Sequence, residues 1–120
     1  MSRTPLTFHQ VCATYGITMR ALRHYEALEI VTSRCEGSTR IYDARQQVRL
    51  ELLLKARRFR IRLEEARQII ELYDEKGPEA QARRWYRTVA QQRCVIRDEV
   101  ARLQEVDREM ARIVDGERVF

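Results

Sequence analysis

Residues 17–26 read Ile17-Thr18-Met19-Arg20-Ala21-Leu22-Arg23-His24-Tyr25-Glu26 (ITMRALRHYE). The apolar positions suit a short helix packed against something else. Arg20, Arg23, His24 and Tyr25 crowd the rest of it, and Arg20, Arg23 and His24 fall near one another on a helical wheel. Two guanidiniums, an imidazole and a phenol on the open side of a helix need a partner, and the flanking sequence narrows the choice.

Upstream, Thr7 is followed three residues later by Gln10, a capping-box start. Phe8, Val11, Cys12 and Tyr15 recur at helical spacing, and Gly16 stops that helix. Thr18 can cap a second helix running to about Leu28. Two short helices joined by Gly16-Ile17 are what a helix-turn-helix requires. Downstream, Ile30, Val31 and Thr32 favour strand, Cys35-Glu36-Gly37-Ser38 reads as a turn, and Thr39 to Tyr42 alternates. A small β-hairpin fits, too small to hold a core, so it should lean on the helices as a wing. Asp43 with Gln46 caps a third helix, to about Phe59, with Val48, Leu52 and Leu53 or Ala56 buried. Arg60-Ile61-Arg62 is a short connection. A fourth helix follows from Leu63 to Tyr73, with Leu63, Ala66, Ile69, Ile70 and Tyr73 on one side and a poor N-cap at Arg62.

Gly77-Pro78 marks a boundary. The run to about Val114 has neither Gly nor Pro. Read as heptads, its a positions are Ala82, Val89, Ile96, Leu103 and Met110; its d positions are Trp85, Gln92, Glu99, Val106 and Ile113. At ~1.5 Å per residue such a helix spans ~50 Å. A second copy of the chain is the economical cover for its stripe, with Trp85, Val89, Ile96, Leu103, Val106, Met110 and Ile113 as dimerisation residues. Gln92 and Glu99 would set register. The expected fold class is therefore mainly α: a winged helix-turn-helix head with a β-hairpin wing, two further helices and a long C-terminal dimerisation helix forming a coiled coil. The expected domains are a head at 1–76, a dimerisation helix at 77–114 and a short tail at 115–120.

Composition bounds the function. At 120 residues the chain is one domain's worth, too small for a roomy catalytic cleft. No apolar run reaches the ~20 residues needed to cross a bilayer, and the N-terminus lacks a signal-peptide core. The expectation is a cytoplasmic, nucleoid-associated protein without membrane contact. Cys12, Cys35 and Cys94 are too widely spaced for a zinc site and odd in number for disulfides. Cys12 reads as core. The net charge is +5, and arginine dominates: the lysines are Lys55 and Lys76. From Arg34 to Arg62 nine basic residues face three acidic ones, whereas from Gly77 onward nine face eight. An anion-binding head and a near-neutral partner-binding tail follow.

Three blocks, Thr18 to Glu26, Gly37-Ser38-Thr39-Arg40-Ile41-Tyr42 and Leu63-Glu64-Glu65-Ala66-Arg67-Gln68-Ile69-Ile70, stand in this order and spacing. The chain thereby resembles the MerR family of bacterial transcription regulators, whose pattern runs roughly T-x-R-x-L-R-[YH]-Y-E, G-x-x-R-x-Y and L-x-E-[IA]-x-x-[IL]-[IL]. Two departures stand out. Glu29-Ile30-Val31 replaces the usual Gly-Leu-Leu, implying a different or strained exit from the second helix, and Arg60-Ile61 replaces a Gly-Phe. The resemblance implies an antiparallel sense for the coiled coil, and a homodimer on a near-palindromic site in double-stranded promoter DNA, in a promoter spacer longer than usual. The dimer would bend and untwist that DNA beside RNA polymerase.

On that reading Arg20 meets base edges from the N-terminal end of the recognition helix, and Arg23, His24 and Tyr25 reach phosphates or bases at the groove wall. Thr18 offers a hydroxyl to phosphate. Arg40 contacts backbone or minor groove from the wing. Tyr42 either packs under the hairpin or places its hydroxyl on a phosphate. Arg58, Arg60 and Arg62 form a second cationic wing. Cys94, at heptad position f between Arg93 and Arg97, is either a surface thiol without a role or an oxidant sensor. No cofactor, metal site or catalytic constellation is expected. The competing readings are a protein-binding adaptor of the chaperone-modulator kind with a similar head, and an architectural DNA-binding protein.

Overall fold

The computed structural model describes residues 3–116 and residue 118. In chain order the elements are β1 (Leu6–Thr7), α1 (Phe8–Tyr15), α2 (Met19–Ala27), β2 (Arg34–Glu36), β3 (Thr39–Tyr42), α3 (Ala44–Arg58), α4 (Leu63–Lys76) and α5 (Pro78–Val114). The chain divides into two compact units, one up to Ala82 and one from Arg83 onward.

The helix starts follow the side chains that cap them. Gln10 N–H donates to Thr7 Oγ1 at 3.3 Å and Thr7 N–H to Gln10 Oε1 at 2.9 Å, the reciprocal pair of a capping box. Ala21 N–H donates to Thr18 Oγ1 at 3.0 Å, and Gln46 N–H to Asp43 Oδ1 at 3.0 Å. Arg62, at the head of α4, makes no such bond. Glu64 and Glu65 stand in the first turn there, where the helix dipole favours them.

Three helix ends share one device. After α1, Ile17 N–H reaches back to Cys12 C=O at 3.1 Å; after α2, Ile30 N–H reaches Tyr25 C=O at 3.1 Å; after α3, Ile61 N–H reaches Ala56 C=O at 2.9 Å. Each isoleucine follows a residue in the left-handed region: Gly16 at φ +62°, Glu29 at +60° and Arg60 at +62°. This is the Schellman ending, in which the left-handed residue lets the last carbonyls find donors and the next residue turns inward. Ile30 and Ile61 are indeed buried. The exit from α2 therefore keeps the path of a glycine-built one, and it carries the strain that the substitution implies: Glu29 adopts the glycine conformation itself.

The same turn overrides a sequence expectation. Ile30 and Val31 are not strand; they are core residues of the connection, 1% and 0% exposed. Side chains of α3 satisfy the backbone that a strand partner would have taken. Arg49 Nε donates to Ile30 C=O at 2.8 Å, and Thr32 N–H donates to Gln46 Oε1 at 2.9 Å. The hairpin begins at Arg34, and β1 adds to it, giving a three-stranded antiparallel sheet ordered β1-β3-β2. Leu6 pairs with Tyr42, and Cys35 with Arg40. The two-residue β1 escaped notice because Thr7 also caps α1.

Val11, Leu22, Tyr25, Tyr42, Leu50, Leu53, Ala56, Ala66, Ile69 and Ile70 complete the core of the first unit. The buried face of α3 is offset from the expected one: Gln47, Leu50, Leu53 and Ala56 are inside, while Val48 is exposed and Leu52 only half-buried. The cause is Gln47, whose Nε2 donates to Thr4 C=O at 2.9 Å and Tyr42 C=O at 3.1 Å, so a polar residue takes a core position. Leu63 and Tyr73, expected on the buried side of α4, are also exposed. Val48, Leu52, Ile70 and Tyr73 instead line an apolar groove of about 320 Å³ between α3 and α4. Along α5, Leu103, Val106, Met110 and Ile113 are each more than 40% exposed, as are the flanking Val95 and Val100.

Glu29→Gly removes a side chain from the left-handed region, where a non-glycine residue costs about 1–2 kcal/mol, partly offset by the greater freedom of unfolded glycine. We expect a gain of about 0.5–1 kcal/mol, read as a higher denaturation midpoint at unchanged m-value. Gly16→Ala, where an added Cβ meets nothing within 4 Å, should shift the midpoint downward by a comparable amount for the same conformational reason.

Candidate nucleic-acid interface

Helix α2 divides its side chains sharply. Leu22 and Tyr25 are buried, whereas Met19, Arg20, Arg23, His24 and Ala27 are exposed. Arg20 takes part in no ion pair among the described residues. Arg23 lies over the Phe8 ring, its guanidinium carbon 5.5 Å from the centroid, a cation–π contact that holds the charge at the surface.

A cleft flanks α2 on each side. The first, about 650 Å³, lies between the start of α1, α2 and the hairpin, and is lined by Thr7, Phe8, His9, Arg23, Glu26, Ala27, Ser38, Thr39 and Arg40. The second, about 540 Å³, is lined by Thr18, Arg20, Ala21, His24, Tyr25, Arg57 and Leu63. Both are open and rimmed by guanidinium, imidazole and hydroxyl groups, the donor set that suits phosphate.

One aromatic expectation needs correcting, and an open one is decided. Tyr25 is not on the open side: it is 6% exposed, and its hydroxyl accepts a hydrogen bond from Arg57 Nη1 at 2.9 Å. Three residues on from Leu22, it shares that residue's inward face. Tyr42 is 1% exposed, and its hydroxyl donates to Glu26 Oε1 at 2.7 Å, so it packs under the hairpin rather than reaching a phosphate. Burial, then the hydrogen bond to Glu26 and its charge, push this phenol well above its ordinary range, with Ser33 and Arg40 opposing more weakly. Tyr42 therefore remains a donor at any physiological pH.

The remaining expected residues are placed as follows. Thr18, Arg20, Arg23, His24 and Arg40 all line one of the two clefts. Arg40 is exposed and is tied to Glu26 by an ion pair of 2.6 Å. Arg58, Arg60 and Arg62 line neither; they sit at the end of α3, in the left-handed turn and at the head of α4. Cys94 and Cys35 are exposed. Burial pushes the half-buried Cys12 thiol upward, with nearby Arg23 pulling the other way. No group of three or more metal-ligating side chains gathers among the described residues. No helix there is long and apolar enough to cross a membrane.

Arg57 is the residue the sequence reading passed over. It looked like one more member of the Arg57-Arg58 run, yet it lies seven and four residues beyond the buried Leu50 and Leu53, so that from an exposed position at the edge of that face its guanidinium reaches the Tyr25 hydroxyl. That phase is the signal that separates it from Arg58. His9, Ser38 and Thr39 also line the first cleft; Ser38 and Thr39 stand at the unspecified positions of the Gly37–Tyr42 block, and no motif marks His9.

Comparison with known proteins bears on the head and the helices after it. Residues 47–113 match the family described as MerR, DNA binding. That match begins within α3 and includes the Leu63–Ile70 block, but neither α2 nor the hairpin. No curated protein matches the chain. Among solved structures, a MerR-family transcriptional regulator from Bacillus cereus superposes with a TM-score of 0.70 at 20% identity, covering 98% of this chain and 88% of that one. The HTH-type transcriptional regulator SkgA from Caulobacter crescentus gives 0.65 at 24% identity, covering 94% and 79%. At such identities the likeness speaks for the fold, a MerR-like winged helix-turn-helix. With more than half of its residues inside the family's own sequence pattern, the chain belongs to the MerR family of DNA-binding transcription regulators.

Proposed function

We propose that the protein acts as a homodimer on a near-palindromic promoter site, each subunit placing α2 in a major groove and one DNA strand in each flanking cleft. The observation that carries this reading is the position of α2 as an exposed ridge between two cationic hollows. A B-DNA major groove is about 12 Å wide and admits one helix, with a sugar-phosphate strand along each wall. Arg20, near the N-terminus of α2, is the residue for base edges; bidentate contact with guanine is its natural chemistry. Arg23 and His24 serve the groove walls. Arg40 with His9, Ser38 and Thr39 would take one strand, Thr18 with Arg57 the other. Arg58, Arg60 and Arg62 extend the cationic surface to further phosphates.

The dimer reading, with residues 77–114 as the pairing helix, is supported by the exposed stripe of α5, which a second copy would cover. Two heads so joined read two half-sites. Bending and untwisting the spacer between promoter elements would then couple binding to RNA polymerase, at a deformation cost of a few kcal/mol offset by the added phosphate contacts. Such a protein works in the cytoplasm at the nucleoid.

Arg20→Ala with Arg23→Ala is expected to weaken duplex binding by at least about 30-fold, since each good base pair contact contributes about 1–3 kcal/mol and every 1.4 kcal/mol is about tenfold. Sedimentation should show the oligomeric state unchanged. Unaltered duplex binding by this variant would favour a protein-binding adaptor instead. Leu103→Glu with Met110→Glu places charge on the exposed stripe. In analytical ultracentrifugation that variant should sediment as a monomer where the parent chain is a dimer; an unshifted dimer would rule out α5 as the pairing surface.

A further inference from the structure

Glu26 stands on the DNA-facing helix, where a carboxylate should repel phosphate. It also occupies the C-terminal end of α2, the end at which the helix dipole disfavours an anion. The DNA-binding reading gives it nothing to do. Its contacts do. Glu26 Oε2 accepts from Arg40 Nη1 at 2.6 Å, and Oε1 accepts from the Tyr42 hydroxyl at 2.7 Å. The Glu26 side chain is 14% exposed against 51% for Arg40, so the carboxylate is the fixed partner and the guanidinium the outer one.

Arg40 and Tyr42 are two residues apart on β3 and so share one face of the strand. One carboxylate therefore grips that face at two successive positions. Because β3 is the central strand, bonded to both β1 and β2, whatever holds β3 holds the whole wing. The Glu26 ion pair engages one terminal nitrogen of Arg40; a guanidinium has five N–H donors, which leaves others for a phosphate.

We infer that Glu26 is a positioning residue: its carboxylate clamps the wing to the recognition helix and holds Arg40 at the rim of the first cleft, so that helix and wing meet a duplex as one preset surface. This rests on the DNA-binding reading above and concerns how that surface is set. The opposing possibility is that Glu26 merely masks Arg40, and the two differ in sign. A mask, once removed, should strengthen binding; a clamp, once removed, should weaken it, although a negative charge has left the surface.

The test uses the full chain and a fluorescently labelled duplex of about 30 base pairs of mixed sequence, at low ionic strength where phosphate contacts dominate. Glu26→Gln, Glu26→Asp, Arg40→Ala and the Glu26→Gln/Arg40→Ala double variant are compared by anisotropy. We expect Glu26→Gln to weaken binding about 5- to 10-fold, and Glu26→Asp, which keeps the charge but shortens the reach, to weaken it as well. The double variant should bind within about twofold of Arg40→Ala, because a glutamine amide oxygen at this position can still accept from the Tyr42 hydroxyl and the link lost in Glu26→Gln is the one to Arg40. Amide hydrogen exchange on the free protein should quicken across residues 34–42 in Glu26→Gln and Glu26→Asp, while α4 keeps its protection and so reports an intact head. Tighter binding by Glu26→Gln, losses that multiply in the double variant, or unchanged exchange across 34–42 would each overturn the clamp. A parent chain that ignores the duplex would overturn the DNA reading, and the exchange measurement would still judge the clamp separately.

Discussion

Everything in the head depends on the burial of two side chains, Leu22 and Tyr25, from a helix of nine residues. A helix that short is not stable in water by itself, because the first turn costs more order than its few hydrogen bonds return. Burying a side chain such as leucine contributes about 1.5–3 kcal/mol, and that is what keeps α2 folded. The rest of the core, from Val11 through Leu50 and Leu53 to Ile69, makes this burial possible. The same constraint sets the functional surface. At about 100° per residue, turning Leu22 and Tyr25 inward turns Arg20, Arg23 and His24 outward. Core packing and the display of cations are two consequences of one helix phase.

The repeated helix ending explains how short elements are aimed so closely. Gly16, Glu29 and Arg60 each reverse the chain in the left-handed region, and an isoleucine follows each. The isoleucine after α2 and the one after α3 become core. The device closes the last carbonyls of each helix and fastens the next segment in one step. Accepting glutamate and arginine in a glycine conformation is a local cost carried by the burial of Ile30 and Ile61. Arg60 thereby stands in the turn that leads into α4, close in sequence to Arg57 at the second cleft.

The long helix poses a different problem. Its apolar stripe is exposed over its last turns in a single chain, and its seam contains Gln92 and Glu99. Apolar residues in contact with water over that length are a driving force for association, and polar seam residues favour one alignment over others. In the dimer proposed here, the helix therefore supplies affinity from its valines, leucine, methionine and isoleucine, and register from its polar positions.

Local chemistry written in the sequence reached far. Thr7, Thr18 and Asp43 announced helix starts because a hydroxyl or carboxylate two or three residues before an amide can bond to it without help from the rest of the fold. Gly16 and Gly77-Pro78 announced ends for equally local reasons, and the 3.5-residue repeat marked α5. What only the tertiary structure decided lies where a distant partner overrides local preference. Ile30 and Val31 left the strand because the connection buries their side chains, while Arg49 and Gln46 of α3 take the Ile30 carbonyl and the Thr32 amide. The buried face of α3 shifted because Gln47 found two carbonyls, one of them on Thr4, far away in sequence. Tyr25 turned from the open side to the interior, with Arg57 meeting its hydroxyl from the rim, and of the two readings open for Tyr42 the Glu26 carboxylate selected the packed one. A side chain's type states which bonds it can make; which of them it makes depends on what the fold brings within 3 Å.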